Sequence, residues 1–281
     1  MRIMTVAIFR FFSLILLNAI ISMGPACALA GETVRINGSG SGLAMMKPLI
    51  KAYAELNPGI SFEMDKPLGS SGAIKALAAG ALDIAVSSKP LKPEETAQDL
   101  KLSPFGKTPL AIVTGSNVPV NNISTPELEA IYSGKTRIWP NNERIRVVLR
   151  PLEDIDTKIL RGLSPGMNEA IDQAQNTRGM ITAVTDPESN LMVANTIGSI
   201  GSSGLSGIMV EKTSLKILSL NGVMPTLASL AQGRYPLAKE IHFVTRSHLS
   251  ESARNFLDFI YSDKGRAIVE AVGVLTSAGG K

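Results

Sequence analysis

The sequence predicts an α/β protein of two lobes that two crossing strands join. Strand-like and helix-like segments alternate as βαβαβ over residues 34–86, an order typical of a mostly parallel sheet. Two further predicted strands are both mostly apolar, 110–114 and 241–245. They lie on either side of a block of about 125 residues, a common domain size. Two such crossings side by side would make a hinge. The expected lobes are 31–113 plus 243–281 and 114–242.

The elements of the first third follow from apolar spacing and from stop signals. Apolar residues three and four positions apart predict a helix over 43–57, and Asn57-Pro58-Gly59 ends it. Alternation of apolar and polar residues predicts a strand over 60–64. The other elements predicted here are strands 34–37 and 83–86 and a helix over 71–79.

The rest of the chain continues this alternation. Thr125 is expected to cap a helix whose first residue is Pro126. The glycine- and serine-rich residues 198–204 predict a turn. The other predicted elements are strands 146–150, 197–200 and 208–210 and helices 154–163, 165–175, 250–261 and 263–272.

The N-terminal residues 1–30 have the pattern of a cleaved secretory signal. Arg2 and Arg10 precede an apolar run, and Ala28-Leu29-Ala30 is an Ala-x-Ala cleavage pattern ahead of Gly31. We therefore expect export to the periplasm. Lipidation of Cys27 is the weaker alternative, because no leucine stands three positions before it. An uncleaved membrane anchor is the other alternative.

Composition argues against several functional classes. Removing the two arginines of the predicted signal leaves 26 basic and 24 acidic residues, a net charge of +2 without long runs of one sign. Nucleic-acid binding is therefore not expected. His242 and His248, the two histidines of the chain, do not match zinc spacings, and Cys27 is the single cysteine. We expect no metal site, no cofactor and no disulfide.

Three short Ser/Gly loops precede predicted helices in the first third of the chain. They are 38–42, 69–72 and the pair Ser87-Ser88. A helix N-terminus presents unpaired N–H groups and a partial positive charge, so it binds anions without a lysine or arginine. One such loop is more often only a cap or a turn. Three loops that converge on one cleft would form an oxyanion site.

Several motifs together resemble the phosphate-binding components of ABC importers, which are class II periplasmic binding proteins. The resemblance begins with residues 34–42 before an amphipathic helix, continues through 69–77 and 87–91, and covers nearly all of the chain after the signal. Ile131-Tyr132-Ser133-Gly134-Lys135 with Trp139 matches the opening of the second lobe. Tyr132 and Trp139 are interpreted as packing residues. The last matching segments are Tyr235-Pro236-Leu237 and 262–266.

The resemblance implies a ligand site between the lobes. The backbone of Gly42 and Leu43 and the hydroxyl of Ser41 would contact one side of the anion. Arg150 matches the arginine of the family, and it is the only cationic contact that we can place. The remaining implied contacts are Ser70, Ser71, Gly72, Ser88 and Thr157.

Two departures bear on which anion would bind. Ser88 stands where the family usually carries an aspartate that accepts the proton of a protonated phosphate, and a hydroxyl both donates and accepts. After Arg150 the Gly-Ser-Gly-Thr loop of the family is replaced by an acidic segment in which only Thr157 survives. Either these acids cap the next helix, or Asp156 pairs with Arg150, or the ligand is not plain phosphate.

Three functions stay open at this point. The resemblance favours a monomeric capture protein that delivers phosphate or a related oxyanion to an ABC permease, without enzymatic activity. An exported sensor or scaffold could keep the same fold without transport. A periplasmic hydrolase would need a general base beside a loop serine, and neither histidine falls within a loop motif.

Overall fold

The computed structural model describes residues 32–277. The predicted signal, its cleavage site and Cys27 lie outside these residues. Within 32–277 no helix has the length and apolar character that a membrane crossing requires. The strands are β1 Glu32–Gly38, β2 Ile60–Glu63, β3 Ile84–Ser87, β4 Leu100–Thr114, β5 Asn122–Ile123, β6 Arg146–Leu149, β7 Ile181–Thr182, β8 Ser199–Gly204, β9 Lys216–Ile217, β10 Ser219–Leu220, β11 Ala238–Arg246 and β12 Leu275–Thr276. The helices are α1 Gly40–Ala54, α2 Gly69–Ala78, α3 Pro93–Thr96, α4 Thr125–Tyr132, α5 Ile155–Arg161, α6 Pro165–Gln175, α7 Asp186–Asn195, α8 Leu205–Glu211, α9 Leu227–Ala231, α10 Glu251–Tyr261 and α11 Asp263–Glu270.

A ten-stranded mixed sheet runs through the molecule with helices packed against it, and β5 and β10 form a separate two-stranded sheet. The main path of the larger sheet is β2-β1-β3-β11-β4-β8-β6-β7. Strand β1 pairs in parallel with β2 and β3, which confirms the parallel βαβαβ unit predicted for the start of the chain. Strand β11 is antiparallel to both β3 and β4, and β4 is antiparallel to β8. The α/β class predicted from the sequence is confirmed.

Strand β4 links the two halves of the sheet. The first half contains β2, β1, β3 and β11, and the second half contains β8, β6 and β7. The β4 segment Leu100–Pro109 pairs with β11, and the segment Leu110–Thr114 pairs with β8. The sequence predicted only the second segment as strand, because two prolines and a glycine interrupt the apolar pattern of the first. Since Leu110–Thr114 lies beside β8, it packs with the second half. The exact lobe limits 31–113 plus 243–281 and 114–242 stay a prediction.

Each half has its own hydrophobic core. In the first half, the rings of Tyr53, Phe62 and Phe256 pack together, with centroids 4.6–6.1 Å apart. In the second half, Tyr132 and Trp139 are buried in a cluster of aliphatic side chains, which confirms their interpretation as packing residues. Separate cores on one shared sheet are what a two-lobed α/β fold requires.

Two local predictions were wrong, and one helix was missed. Residues 208–210 belong to helix α8 and not to a strand, since a short apolar run does not distinguish the two. Residues 199–204 form strand β8, so the strand predicted over 197–200 overlaps its start and the turn predicted over 198–204 was wrong. Small residues are needed in β8 because a Cβ on Gly204 would overlap the Ser41 side chain. Helix α7 was not predicted at all.

Candidate functional site

A cavity of about 210 Å³, called here the cleft, lies between the two halves of the molecule. The first half lines it with Ser39, Gly40, Pro67, Leu68, Gly69, Ser70, Ser71 and Lys89. The second half lines it with Arg150, Pro151, Glu153, Asp154, Ile155, Lys158, Val184, Thr185 and Asp186, and Lys239 reaches it from β11. Two of the three predicted Ser/Gly loops therefore meet at this cleft, opposite the segment that follows β6.

The first Ser/Gly loop begins helix α1, and its amides bond within the protein. Ser39 caps the helix by accepting the N–H of Gly42 at 3.3 Å, and the N–H of Leu43 donates to the Ser39 carbonyl at 2.8 Å. The N–H of Ser41 donates to Oδ2 of Asp186 at 3.2 Å. A carboxylate from the second half therefore lies at this helix N-terminus, where the sequence predicted a bound anion.

The second Ser/Gly loop begins helix α2 at the wall of the cleft. The turn is set by Gly69, whose φ of 70° suits glycine. Leu68 stands at the cap position and makes no side-chain cap bond. Among residues 32–277, no side chain accepts from the amides of Ser70, Ser71 or Gly72. Unlike α1, helix α2 thus begins at the cleft with no side-chain acceptor for its first amides among the described residues.

The third predicted loop connects the other two rather than lining the cleft. Ser88 is buried, and its Oγ donates to Oγ of Ser39 at 2.9 Å. Its N–H donates to Oγ of Ser70, also at 2.9 Å. Ser88 therefore fixes the relative position of the two helix starts.

Arg150 provides a buried cation at the cleft. Its side chain follows β6 and is only 5% exposed. Nη2 donates to Oδ2 of Asp154 at 2.7 Å, whereas Nε and Nη1 are buried without a partner among the described residues. Burial alone would lower its pKa, but Asp186, Asp156 and Asp154 raise it, so the guanidinium is charged. Arg150 thus lines the cleft as a charged group with two buried donor atoms that have no partner among residues 32–277.

Thr157 supports Arg150 through a hydrogen bond to its backbone. Its Oγ1 donates to the carbonyl of Arg150 at 3.2 Å, and Nε2 of Gln175 donates to the same oxygen at 2.8 Å. Thr157 is buried in helix α5 and does not line the cleft. These two bonds hold the backbone that carries the guanidinium.

The acidic segment after Arg150 has two different roles. Asp154 caps helix α5 by accepting the N–H of Asp156 at 2.9 Å, and it also pairs with Arg150. Asp156 does not pair with Arg150: its Oδ1 lies 2.6 Å from Nζ of Lys239. Of the alternatives that the sequence left open, helix capping holds for Asp154, and a pair between Asp156 and Arg150 is not formed.

Lys239 and Asp186 are charged site residues that the sequence analysis missed. Lys239 is 1% exposed, and its Nζ lies 2.7 Å from Oδ1 of Asp186 and 3.3 Å from Oγ of Ser41. Arg150 is therefore not the only cation of the site. The sequence did contain a signal for the burial of Lys239. Alternate residues of a strand lie on the same face, and Lys239 is two residues from both Leu237 and Ile241, which are buried.

The buried cluster carries two cationic and three acidic side chains. Burial raises the pKa of Asp156 to about 6, although the Lys239 ammonium opposes that shift. Burial acts in the same direction on Asp186, but Lys239 and Arg150 outweigh it and lower its pKa to about 2. Asp186 therefore stays ionised, and Asp156 is the group whose charge changes in mildly acidic solution.

Related proteins that share one name match almost the whole length of this chain. The phosphate-binding protein PstS of Bacillus subtilis (strain 168) is 26% identical over 276 residues, which cover 89% of this chain and 88% of the relative. PstS of Borreliella burgdorferi is 27% identical over 255 residues, 87% of this chain and 90% of that protein.

Solved structures show the same fold. A putative phosphate ABC transporter substrate-binding protein from Clostridium perfringens, solved with bound phosphate, superposes with a TM-score of 0.73 at 24% identity. The match covers 88% of this chain and all of that one. A profile of the PBP superfamily domain matches residues 25–264. With its two halves on one mixed sheet and a cleft between them, this chain belongs to the PBP superfamily.

Proposed function

We propose that this protein captures phosphate or a related oxyanion in the cleft and delivers it to an ABC permease. The observation that carries the proposal is Arg150, a buried guanidinium whose Nε and Nη1 have no partner within residues 32–277. It lines a cleft that the N-terminus of α2 also lines. Planar guanidinium donors and helix N-terminal amides are both groups that bind phosphoryl oxygens. The relatives named for phosphate binding support the same ligand.

The contacts divide between the two halves of the molecule. The hydroxyls of Ser70 and Ser71 would donate from the first half, together with the backbone N–H groups of Ser70, Ser71 and Gly72. Arg150 would donate from the second half. Ser41, Gly42, Leu43, Ser88 and Thr157 would organise the site, because their polar groups already bond within the protein. A ligand that bridges both halves would hold them closed.

The proposal also includes export of the protein and a permease as its partner. The signal pattern of residues 1–30 would send the chain to the periplasm, where it would work as a monomer beside a permease in the inner membrane. Hydrolysis by a loop serine is less well supported, because neither His242 nor His248 is among the residues that line the cleft.

The test is calorimetric titration of the purified protein with inorganic phosphate and with sulfate. The Arg150→Gln variant removes two free donors, each worth about 1.5–3 kcal/mol to a charged partner, so its affinity for phosphate should fall at least 100-fold. The matched control is Arg144→Gln, an exposed arginine of the same half that does not line the cleft. Absence of binding by any tetrahedral oxyanion would overturn the proposal.

A further inference from the structure

The cleft has an apolar wall that inorganic phosphate would leave unused. Leu68 of the first half is 54% exposed and Val184 of the second half is 65% exposed, and both line the cleft. Pro67, Pro151 and Ile155 complete this wall. Single exposed apolar side chains are common on protein surfaces, but here five apolar residues from both halves face one cavity.

The polar side of the cleft is rich in donors, and each carboxylate that lines it already pairs with a cation, Glu153 with the exposed Lys158. Arg150 and the start of α2 supply donors. Asp154 already accepts at both oxygens, from Arg150 and from the N–H of Asp156. Asp186 likewise accepts at both oxygens, from Ser41 and Lys239. A ligand that presents oxygens without P–OH groups suits this arrangement best, because a buried donor without an acceptor is costly.

From these two observations, and resting on the proposed function, we propose that the cleft prefers an organic phosphoryl anion: a phosphonate or phosphate monoester with an apolar substituent. When the dianions are compared, the substituent stands in place of the P–OH of hydrogen phosphate, a donor that would need an acceptor. It would lie against Leu68 and Val184 while the three remaining oxygens face Arg150 and α2. The cleft, of about 210 Å³, has room for a substituent beside the phosphoryl group.

The experiment compares inorganic phosphate, methylphosphonate and phenylphosphonate by calorimetry at one pH. We expect affinity to rise in that order, with phenylphosphonate at least tenfold tighter than phosphate. Val184→Thr, which keeps the shape and adds a hydroxyl, should weaken phenylphosphonate three- to tenfold and leave phosphate unchanged. Leu68→Ala, which removes apolar surface and adds no group that could accept from the α2 amides, should act in the same way. Leu191→Ala is the matched control, an exposed leucine outside the cleft.

Three outcomes separate this inference from the proposed function. Phosphate binding as tightly as phenylphosphonate, or more tightly, overturns the inference and leaves the proposed function intact. Variants that change both affinities equally, or neither, also overturn it, because the apolar wall would then not contact a substituent. If none of the three probes binds, both proposals fail.

Discussion

Lys239 and Asp186 form a buried ion pair, 2.7 Å long, between the central strand β11 and the first residue of helix α7. The same carboxylate accepts the N–H of Ser41, so α7 is tied to α1 across the cleft. Asp156 lies on the other side of the ammonium. One lysine on a shared strand therefore holds two acids of the second half beside the helix start of the first half.

Replacing Lys239 by Met should strongly destabilise the protein. The substitution leaves Asp156 and Asp186 buried without their cation, and breaking a buried ion pair typically costs about 3–5 kcal/mol. Urea unfolding followed by circular dichroism measures the effect. Lys51→Met is the control, because Lys51 is exposed and makes no ion pair among the described residues. A loss below about 1 kcal/mol would show that the cluster is not held by this charge.

Asp156 should make the protein more stable in mildly acidic solution than at neutral pH. Its pKa in the folded protein, about 6, lies above the ordinary aspartate value, so the folded state binds the proton more tightly than the unfolded chain. Its contribution to stability is therefore fully present below about pH 4 and is lost as pH rises through about 6.

The measurement is urea unfolding of wild type and Asp156→Asn from pH 4 to pH 8. Asparagine cannot ionise, so the variant should lose the decrease in stability between about pH 4 and 6. Asp186, whose pKa is lowered to about 2, acts with the opposite sign, and its stabilisation is lost only as pH falls from about 4 toward 2. Parallel profiles for the two proteins over pH 4–8 would contradict the assignment to Asp156.

Gly204→Ala should disturb the junction between the halves. The new Cβ would overlap the side chain of Ser41 and approach Cγ2 of Thr108 to 3.5 Å. Overpacking of this kind costs about 1–3 kcal/mol, and here it would also push α1 away from β8. Both the unfolding midpoint and phosphate affinity should fall. Gly59→Ala is the control, since its Cβ would meet nothing within 4 Å.

Ser71→Ala should weaken anion binding without affecting the fold. The hydroxyl lines the cleft, and its loss removes one hydrogen bond to a charged ligand, worth about 1.5–3 kcal/mol. Titration with phosphate measures the change, after circular dichroism has confirmed folding. Ser133→Ala, away from the cleft, should bind like wild type. An unchanged affinity for Ser71→Ala would indicate that α2 contributes its amides alone.

Local patterns in the sequence determined much of this protein. The parallel unit β1–β3, the helices α6, α10 and α11 and the central strand β11 follow from periodicity and caps within about 15 residues, because such signals act between near neighbours. The order of the Ser/Gly motifs indicated the family and a cleft. The second of these motifs placed Ser70 and Ser71, and the resemblance to the family placed Arg150; the structure brings all three to one cavity.

Only the tertiary structure decided how the charges are arranged. The bond between Asp186 and Ser41 joins residues 145 positions apart, and Lys239 meets Ser41 across 198 positions. No local pattern reports such a contact, so an acid that caps one helix and an acid that pairs with a distant lysine look alike in sequence. Strand β8 shows that the same holds for backbone structure. Its Gly/Ser composition predicts a turn in isolation, but pairing with β4 and β6 and close packing against α1 make it a strand.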